Sequence, residues 1–306
     1  MGDDSSIIIV TYNSSQFITD CLDSVVEQTS GESEVIIIDN HSTDLTVELI
    51  RHKFPHFCLI SNKENLGFSE AVNQGIRLSA GRYIFVLNSD VVLCKDFIEQ
   101  VMKTVTQLPD NVGMLSPKIM RMDGQIIDST GLMLSKSIRF FDRGSGEEDH
   151  GQYDSDNAIL GPCAAVGIYR RDMLEDIEMD GEYFDKDFFY LVEDFDIVLR
   201  ARKKGWKGAY LPNAIGYHIR NGSCVSFQHR QYYSFRNRYF LIIKNLKITP
   251  YLIFIFFTYD IPRSIFMLLS NKYTLKAVRD VLAGMFKMLE KRKDIAKNCT
   301  KNRKHL

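Results

Sequence analysis

"YIFVLNSDVVL", residues 83–93, decides the fold because it breaks its own pattern. Tyr83 to Leu87 is apolar at every position, as a strand buried on both faces must be. Asn88, Ser89 and Asp90 then set polarity into an apolar run, where a core gains nothing from it. In an open parallel sheet, however, ligands bind just beyond the carboxyl ends of the strands. Three more apolar runs precede this one: residues 6–10, "EVIIID" (34–39) and "FCLIS" (57–61). Helical spacing falls between and after them, at 17–27, after an N-cap at Ser42, Thr43 or Asp44, at 69–79 and at 96–106. Strands alternating with helices predict an α/β fold with a parallel sheet covered on both faces.

The later chain is less regular. Residues 112–122 read as a strand, 123–157 as Gly- and acid-rich loops or small hairpins, and 164–174 as a strand running into a helix. "FFYLVEDFDIVLRARKKGW" (188–206) turns into a helix near Glu193, and 208–219 is again strand-like. After Gln228 the character changes, dividing the chain into residues 1–228 and a basic helical region, 229–306. There "YLIFIFFTY" (251–259) is strongly apolar, but Asp260, Pro262 and Arg263 separate it from "SIFMLLS". Neither half reaches the ~20 apolar residues that span a bilayer. Residues 274–293 align Leu275, Val278, Val281, Leu282, Met285, Met288 and Leu289 on one helical face, with Lys and Arg largely opposite. That pattern fits a helix lying in the plane of a membrane. It equally fits a helix packed on the main domain with a solvated basic face.

Over 306 residues the chain is 45% hydrophobic and 25% charged, room for one large domain or a domain plus an appendage. Cys21, Cys58, Cys94, Cys163, Cys224 and Cys299 lie far apart, without CxxC or zinc-type spacing. They read as buried free thiols of a reducing compartment. Residues 1–6 are acidic and "IIIV" is too short for a signal-peptide core, so a cytoplasmic location is expected. The net charge of −1 hides a polarity: residues 230–306 hold 17 Lys and Arg against 4 Asp and Glu, and the rest hold 21 against 35. A basic tail of this kind meets nucleic acid or a membrane surface, and its charge balance favours the membrane over a helix merely packed on the main domain.

If ligands bind at strand ends, the candidate residues are those that follow each strand: Thr11, Tyr12 and Asn13; Asp39 and Asn40; the loop "NKENLGF" (62–68); and Asn88, Ser89 and Asp90. The dinucleotide fingerprint GxGxxG is absent after the first strand, and no GxxxxGK[ST] occurs anywhere. Tyr12 can stack on a base or pack a sheet edge. Asp39 can accept from a base or ribose, or cap the next helix. Asp90 suits Mg²⁺ or Mn²⁺, hard ions that take oxygen ligands and share them with phosphates; an Asx turn would use it equally well. Glu193, Asp194 and Asp196 sit where a helix starts, and N-capping or macrodipole complementation accounts for some of them. A carboxylate there could also take a proton from an attacking hydroxyl. His218 could add a metal ligand.

Taken together, "IIIVTYN" (7–13), "IIIDNHSTD" (36–44), "NKENLGFSEAVNQGI" (62–76), "YIFVLNSDVVL" (83–93), "GPCAAVGIYRRDML" (161–174), "EDFDIVLRARKKGW" (193–206) and "YHIRNGS" (217–223) resemble glycosyltransferase family 2, inverting enzymes of GT-A fold, and especially its bacterial rhamnosyltransferase-like branch. "YYSFRNRYF" (232–240) is similar to the stretch that follows in that branch. The resemblance implies a Rossmann-like, mostly parallel sheet flanked by helices, with a C-terminal membrane-associating extension. It implies that Thr11, Tyr12, Asn13, Asp39, Asn40, Asn65, Gly67, Asn73, Asn88, Ser89 and Asp90 bind a nucleotide sugar. Asp90 and His218 would hold Mg²⁺ or Mn²⁺, and Asn88 stands where the family's DxD motif has its first Asp. Asp194 would be the catalytic base with Glu193 beside it, and Gly161, Pro162, Cys163 and Ala164 would line the acceptor side. The implied donor is a dTDP- or UDP-sugar, with dTDP-rhamnose first. The implied acceptor is a polyprenyl-diphosphate-linked glycan of bacterial surface polysaccharide synthesis, met on the inner face of the cell membrane. A homodimer is left open. Two rivals remain: a nucleotidyltransferase making nucleotide sugars, whose Gly-rich basic loop "VTYNSSQF" lacks, and a non-catalytic sugar- or nucleic-acid-binding protein.

Overall fold

The structure is a computed structural model that describes residues 4–28, 33–220, 226–270 and 272–302. The readings of residues 1–3, of Cys224 and of 221–223 lie outside these, as does the Cys299 side chain. The strands are β1 (Ser5–Thr11), β2 (Glu34–Asp39), β3 (Cys58–Ser61), β4 (Tyr83–Asn88), β5 (Val91–Leu93), β6 (Val112–Arg121), β7 (Ile127–Ser129), β8 (Leu132–Leu134), β9 (Phe140–Asp142), β10 (Val166–Arg170) and β11 (Lys207–His218). The helices are α1 (Ile18–Val26), α2 (Thr46–Lys53), α3 (Phe68–Leu78), α4 (Phe97–Val105), α5 (Arg171–Ile177), α6 (Glu193–Lys203), α7 (Phe227–Asn245), α8 (Pro250–Ile255), α9 (Ile261–Ser270) and α10 (Lys272–Asn302).

Strands β3, β2, β1 and β4 run parallel, and the runs of Ile and Val in β1 and β2 are buried on both faces as the sequence requires. Beyond β4 the sheet becomes mixed. β10 lies antiparallel between β4 and β6, β11 pairs parallel with β6, and the short β5 crosses to pair with the end of β11. That last pairing sets Val91 against His218 and so draws the polar triplet of β4 toward the end of β11. Helix α2 begins at Thr46 after Leu45, later than the proposed caps, although Asp44 Oδ1 still accepts from the Thr46 N–H. Cys21 and Cys163 are buried thiols, but Cys58 is exposed on the edge strand.

The C-terminal region departs most from expectation. A π-helical turn, Phe256–Asp260, joins α8 to α9, so the apolar segment is not split in two. Pro250–Leu269 is long and apolar enough to cross a membrane by length and composition, and only 17% of its most apolar window is buried. Asp260, the expected interruption, turns inward to a buried ion pair with Arg238 of α7 at 2.9 Å. The basic residues are also partly committed within the protein. Lys244 pairs with Asp185 and Asp196, and Lys287 and Lys291 pair with the 185–187 turn. In α10 the expected single apolar face divides: Met288 packs inward, while Leu275 and Leu282 face out.

Candidate active site

The carboxyl ends of β1 and β4 open into a cleft of about 870 Å³, within the range of small-molecule sites. Tyr12, Asn40, Asn65, Gly67, Asn88, Ser89, Asp90, Cys163, Ala164, Glu193, Asp194 and His218 all line it. Thr11, Asn13, Asp39, Asn73, Gly161 and Pro162 do not. Thr11 and Asp39 face each other in register, and each has a buried oxygen (Oγ1 and Oδ1) without a partner. Asn13 ties the first loop to the second, its Oδ1 accepting from the Thr43 N–H. Asn73 is corrected to a structural role: fully buried in α3, it accepts from the Phe184 N–H and donates to the Phe184 carbonyl, leaving no polar atom for a nucleotide. Gly161 is closely packed, and a Cβ there would meet Val198 at 2.5 Å.

Two groups of ionisable side chains line the cleft. In the first, His218 Nε2 lies 3.3 Å from Asp90 Oδ1, and its Nδ1 lies 2.8 Å from Asp128 Oδ2. Burial disfavours the imidazolium, but hydrogen bonds to Asp128 and Asp90 outweigh it and push His218 up to about 9. Asp128 also accepts from Arg220, and its carboxyl is held low by these partners against the cost of burial. A carboxylate behind an imidazole is the arrangement that orients a metal-binding histidine. Among the described residues, no group of three or more His, Cys, Asp and Glu could hold a metal. Two protein donors alone are too few for a hard cation, and phosphate oxygens would have to complete the set.

The second group is Glu193 and Asp194 at the start of α6. Asp194 Oδ1 accepts from the Phe195 N–H at 2.8 Å and Oδ2 from the Ala164 N–H at 3.2 Å, which ties the carboxylate to the 161–164 segment. Glu193 Oε2 is buried without a partner. Burial raises both acids, Asp194 to about 7 with help from the nearby Asp142 charge, and Glu193 to about 8 with help from Asp194. Asp196, by contrast, points into the core and pairs with Arg200 and Lys244, so it serves the fold.

The backbone leading into this pair is unusual. Phe189 (φ 61°, ψ −56°) forms a γ-turn in which the Tyr190 N–H donates to the Phe188 carbonyl, and Leu191 and Val192 also have positive φ. Such conformations cost roughly 1–3 kcal/mol each for non-glycine residues and persist only when their surroundings enforce them. Gly67 is one enforcer: a Cβ on it would meet the Phe189 ring at 2.6 Å, and the Phe68 N–H donates to the Phe189 carbonyl. Sequence reasoning missed Asp128, Asp142, the 189–192 turn, Arg220, and the start of α7, where Ser226, His229, Arg230 and Tyr233 complete the lining. A signal for Asp128 existed, since "QIIDST" sets a carboxylate into an apolar run as "VLNSD" does.

Comparison with known proteins bears on this geometry. Residues 6–177 match the family model described as "Glycosyl transferase family 2". An N-acetylglucosaminyl-diphospho-decaprenol L-rhamnosyltransferase of Mycobacterium tuberculosis is 27% identical over 247 residues, 70% of this chain and 75% of that one. An uncharacterized glycosyltransferase of Haemophilus influenzae is 35% identical over 109 residues, but the match spans only 33% of its length. Among solved structures, a mannosyltransferase of Pyrobaculum calidifontis in complex with GDP-Man and Mn²⁺ superposes with a TM-score of 0.58 at 15% identity, over 99% of this chain and 87% of that one. TarS of S. aureus does so with a TM-score of 0.59 at 18% identity, over 94% of this chain and 49% of that one. These likenesses establish an α/β fold of the GT-A type.

Proposed function

The chain belongs to glycosyltransferase family 2, and from that premise we propose that it transfers a sugar, with inversion, from a nucleoside-diphosphate sugar to a hydroxyl of a lipid-linked glycan. One observation carries this reading: a raised carboxylate pair, Glu193 and Asp194, lines the same cleft as the Asp90–His218 pair. Tyr12 stacks on the base, while Thr11, Asp39 and Asn40 hold the nucleoside, and Asn88 and Ser89 meet ribose or phosphate. Asp90 and His218 would hold Mg²⁺ or Mn²⁺ together with the diphosphate, and that ion supplies neutralisation of the leaving group's charge. Asp194, half ionised near neutral pH, takes the proton of the acceptor hydroxyl as its oxygen attacks the anomeric carbon from the face opposite the diphosphate. Glu193 keeps its proton to a higher pH and donates to the acceptor or to Asp194. One displacement inverts the centre and calls for no nucleophile on the enzyme.

For the donor, rhamnose from dTDP-rhamnose is the first choice, supported by the mycobacterial relative, and UDP-hexoses are the second. The same relative supports a polyprenyl-diphosphate-linked acceptor of surface polysaccharide synthesis. In this reading residues 1–228 form the catalytic unit together with α7, which completes the cleft, and the helices after α7 hold it at the cytoplasmic face of the membrane. The support is a belt of exposed apolar side chains on α8 to α10, including Phe254, Phe257, Phe266, Leu269 and Phe286. Because the Arg238–Asp260 pair ties the apolar helix to α7, the helix lies in the membrane plane rather than crossing it.

The test is release of nucleoside diphosphate from a panel of nucleotide sugars with a divalent cation and a lipid-linked acceptor. Asp194→Asn and Asp90→Ala should each abolish it, as should chelation. Release of pyrophosphate from a nucleoside triphosphate and a sugar phosphate would instead identify a nucleotidyltransferase.

A further inference from the structure

The turn that delivers Glu193 and Asp194 is held from outside the catalytic sheet, by α7. Asn237 is fully buried there, and its amide nitrogen lies 2.8 Å from the Phe188 carbonyl, 2.8 Å from that of Tyr190 and 2.7 Å from that of Leu191. The neighbouring Arg236 donates to the Asp187 and Phe188 carbonyls at 2.8 and 3.0 Å, and through Nε to Asn237 Oδ1 at 2.9 Å. The Tyr233 ring stacks on Phe189 with centroids 5.3 Å apart. These contacts surround two of the residues whose φ is positive, Phe189 and Leu191, and end one residue before the third, Val192. A turn with so many disfavoured dihedrals relaxes unless it is held, and the side chain that reaches the most of its carbonyls is Asn237.

We propose that Asn237 is a positioning residue for sugar transfer: by gathering the 188, 190 and 191 carbonyls it fixes the turn that aims Asp194 at the acceptor hydroxyl. Asn237 itself bonds to none of the nucleotide-binding strand ends among the described contacts, so its loss is expected to fall on kcat more than on donor binding. The inference rests on Asp194 being the base, as proposed above. It also gives α7 a role in catalysis beyond packing: the helix that leads into the apolar, membrane-facing segment sets the geometry of the reacting pair. A shift of a reactive group by about 1 Å costs on the order of 10²-fold in rate.

The experiment compares Asn237→Ala, Asn237→Asp and Arg236→Gln with the parent chain. The readouts are kcat and acceptor KM for transfer, nucleoside-diphosphate affinity by calorimetry, and amide hydrogen exchange over residues 188–195. Asn237→Ala is expected to lower kcat about 30- to 100-fold, to leave nucleoside-diphosphate affinity within twofold, and to speed exchange in the turn. Asn237→Asp, which loses the donors but keeps the shape, should resemble it. Arg236→Gln, at the rim of the clamp, should show the same split at about threefold and serves as the deciding variant if Asn237→Ala does not fold. A folded Asn237→Ala with kcat within twofold of the parent overturns the proposal. So does an Arg236→Gln protein that loses donor affinity and kcat in equal measure. Asp194→Asn, run alongside, separates the two ideas: if it turns over normally, the base assignment has failed, and with it the ground for this one.

Discussion

Replacing Lys244 by methionine tests whether the C-terminal helices and the sheet form one cooperative unit. The Lys244 side chain is 1% exposed, with Nζ 2.7 Å from Asp185 and 2.8 Å from Asp196. Methionine keeps most of the volume and removes the charge, leaving two buried carboxylates short of a partner. Neither is wholly abandoned: Asp185 keeps Lys291 at 2.6 Å, and Asp196 keeps Arg200 at 2.9 Å and Asn245 at 2.7 Å. Breaking a buried pair costs 3–5 kcal/mol, and the surviving partners argue for the lower end, about 3 kcal/mol. At roughly 2–3 °C per kcal/mol for a chain of this size, thermal unfolding should shift down by about 6–9 °C at pH 7.5. The pH dependence follows from both carboxyls being held below their usual range, where attraction by Lys244 overcomes the cost of burial. Their contribution is complete above the unfolded value near 4 and is lost as pH falls through the folded one. The gap between Lys244→Met and parent should therefore be widest at neutral pH, hold down to about pH 4 and narrow below it. Adding Asp196→Asn to Lys244→Met should recover part of the loss. A shift under about 2 °C at pH 7.5, or a gap independent of pH, refutes the reasoning.

Other consequences are more direct. Because Asp194 is held near 7 by burial and by Asp142, kcat/KM should rise with pH through about 7 and fall about tenfold per unit below it. Asp142→Asn should move that limb to lower pH, and a limb near 4 in the parent would contradict the assignment. Phe266→Asp with Leu269→Asp removes two of the most exposed apolar side chains, 71% and 84% accessible. At about 2 kcal/mol each, flotation with anionic phospholipid vesicles should weaken on the order of 1,000-fold, and unchanged flotation would exclude this belt as the membrane contact.

What the sequence made legible follows from how local each signal is. β1 to β4 and the helices between them show themselves as unbroken apolar runs alternating with 3.6-residue spacing, so both the parallel half of the sheet and the strand ends could be read directly. The position of β10 could not, because a five-residue apolar strand looks the same whether it runs parallel or antiparallel. Its antiparallel insertion creates the mixed half of the sheet and brings Ala164 to Asp194. The site was legible where a motif ends a strand, as at Asp90, and not where residues converge from separate loops, as with Asp128 behind His218. The tail misled for a physical reason: a count of charges cannot tell a solvated lysine from Lys244, whose partners lie 59 and 48 residues away. Nor does an acid within an apolar run always end the helix, since Asp260 turns inward to Arg238.

The central claim is a single displacement at the anomeric carbon, driven by Asp194 without an enzyme nucleophile. It is tested most directly by proton NMR of the first transferred product, comparing its anomeric configuration with that of the donor sugar. Inversion is expected, with the new signal absent for Asp194→Asn. A product that retains the donor's configuration would contradict it.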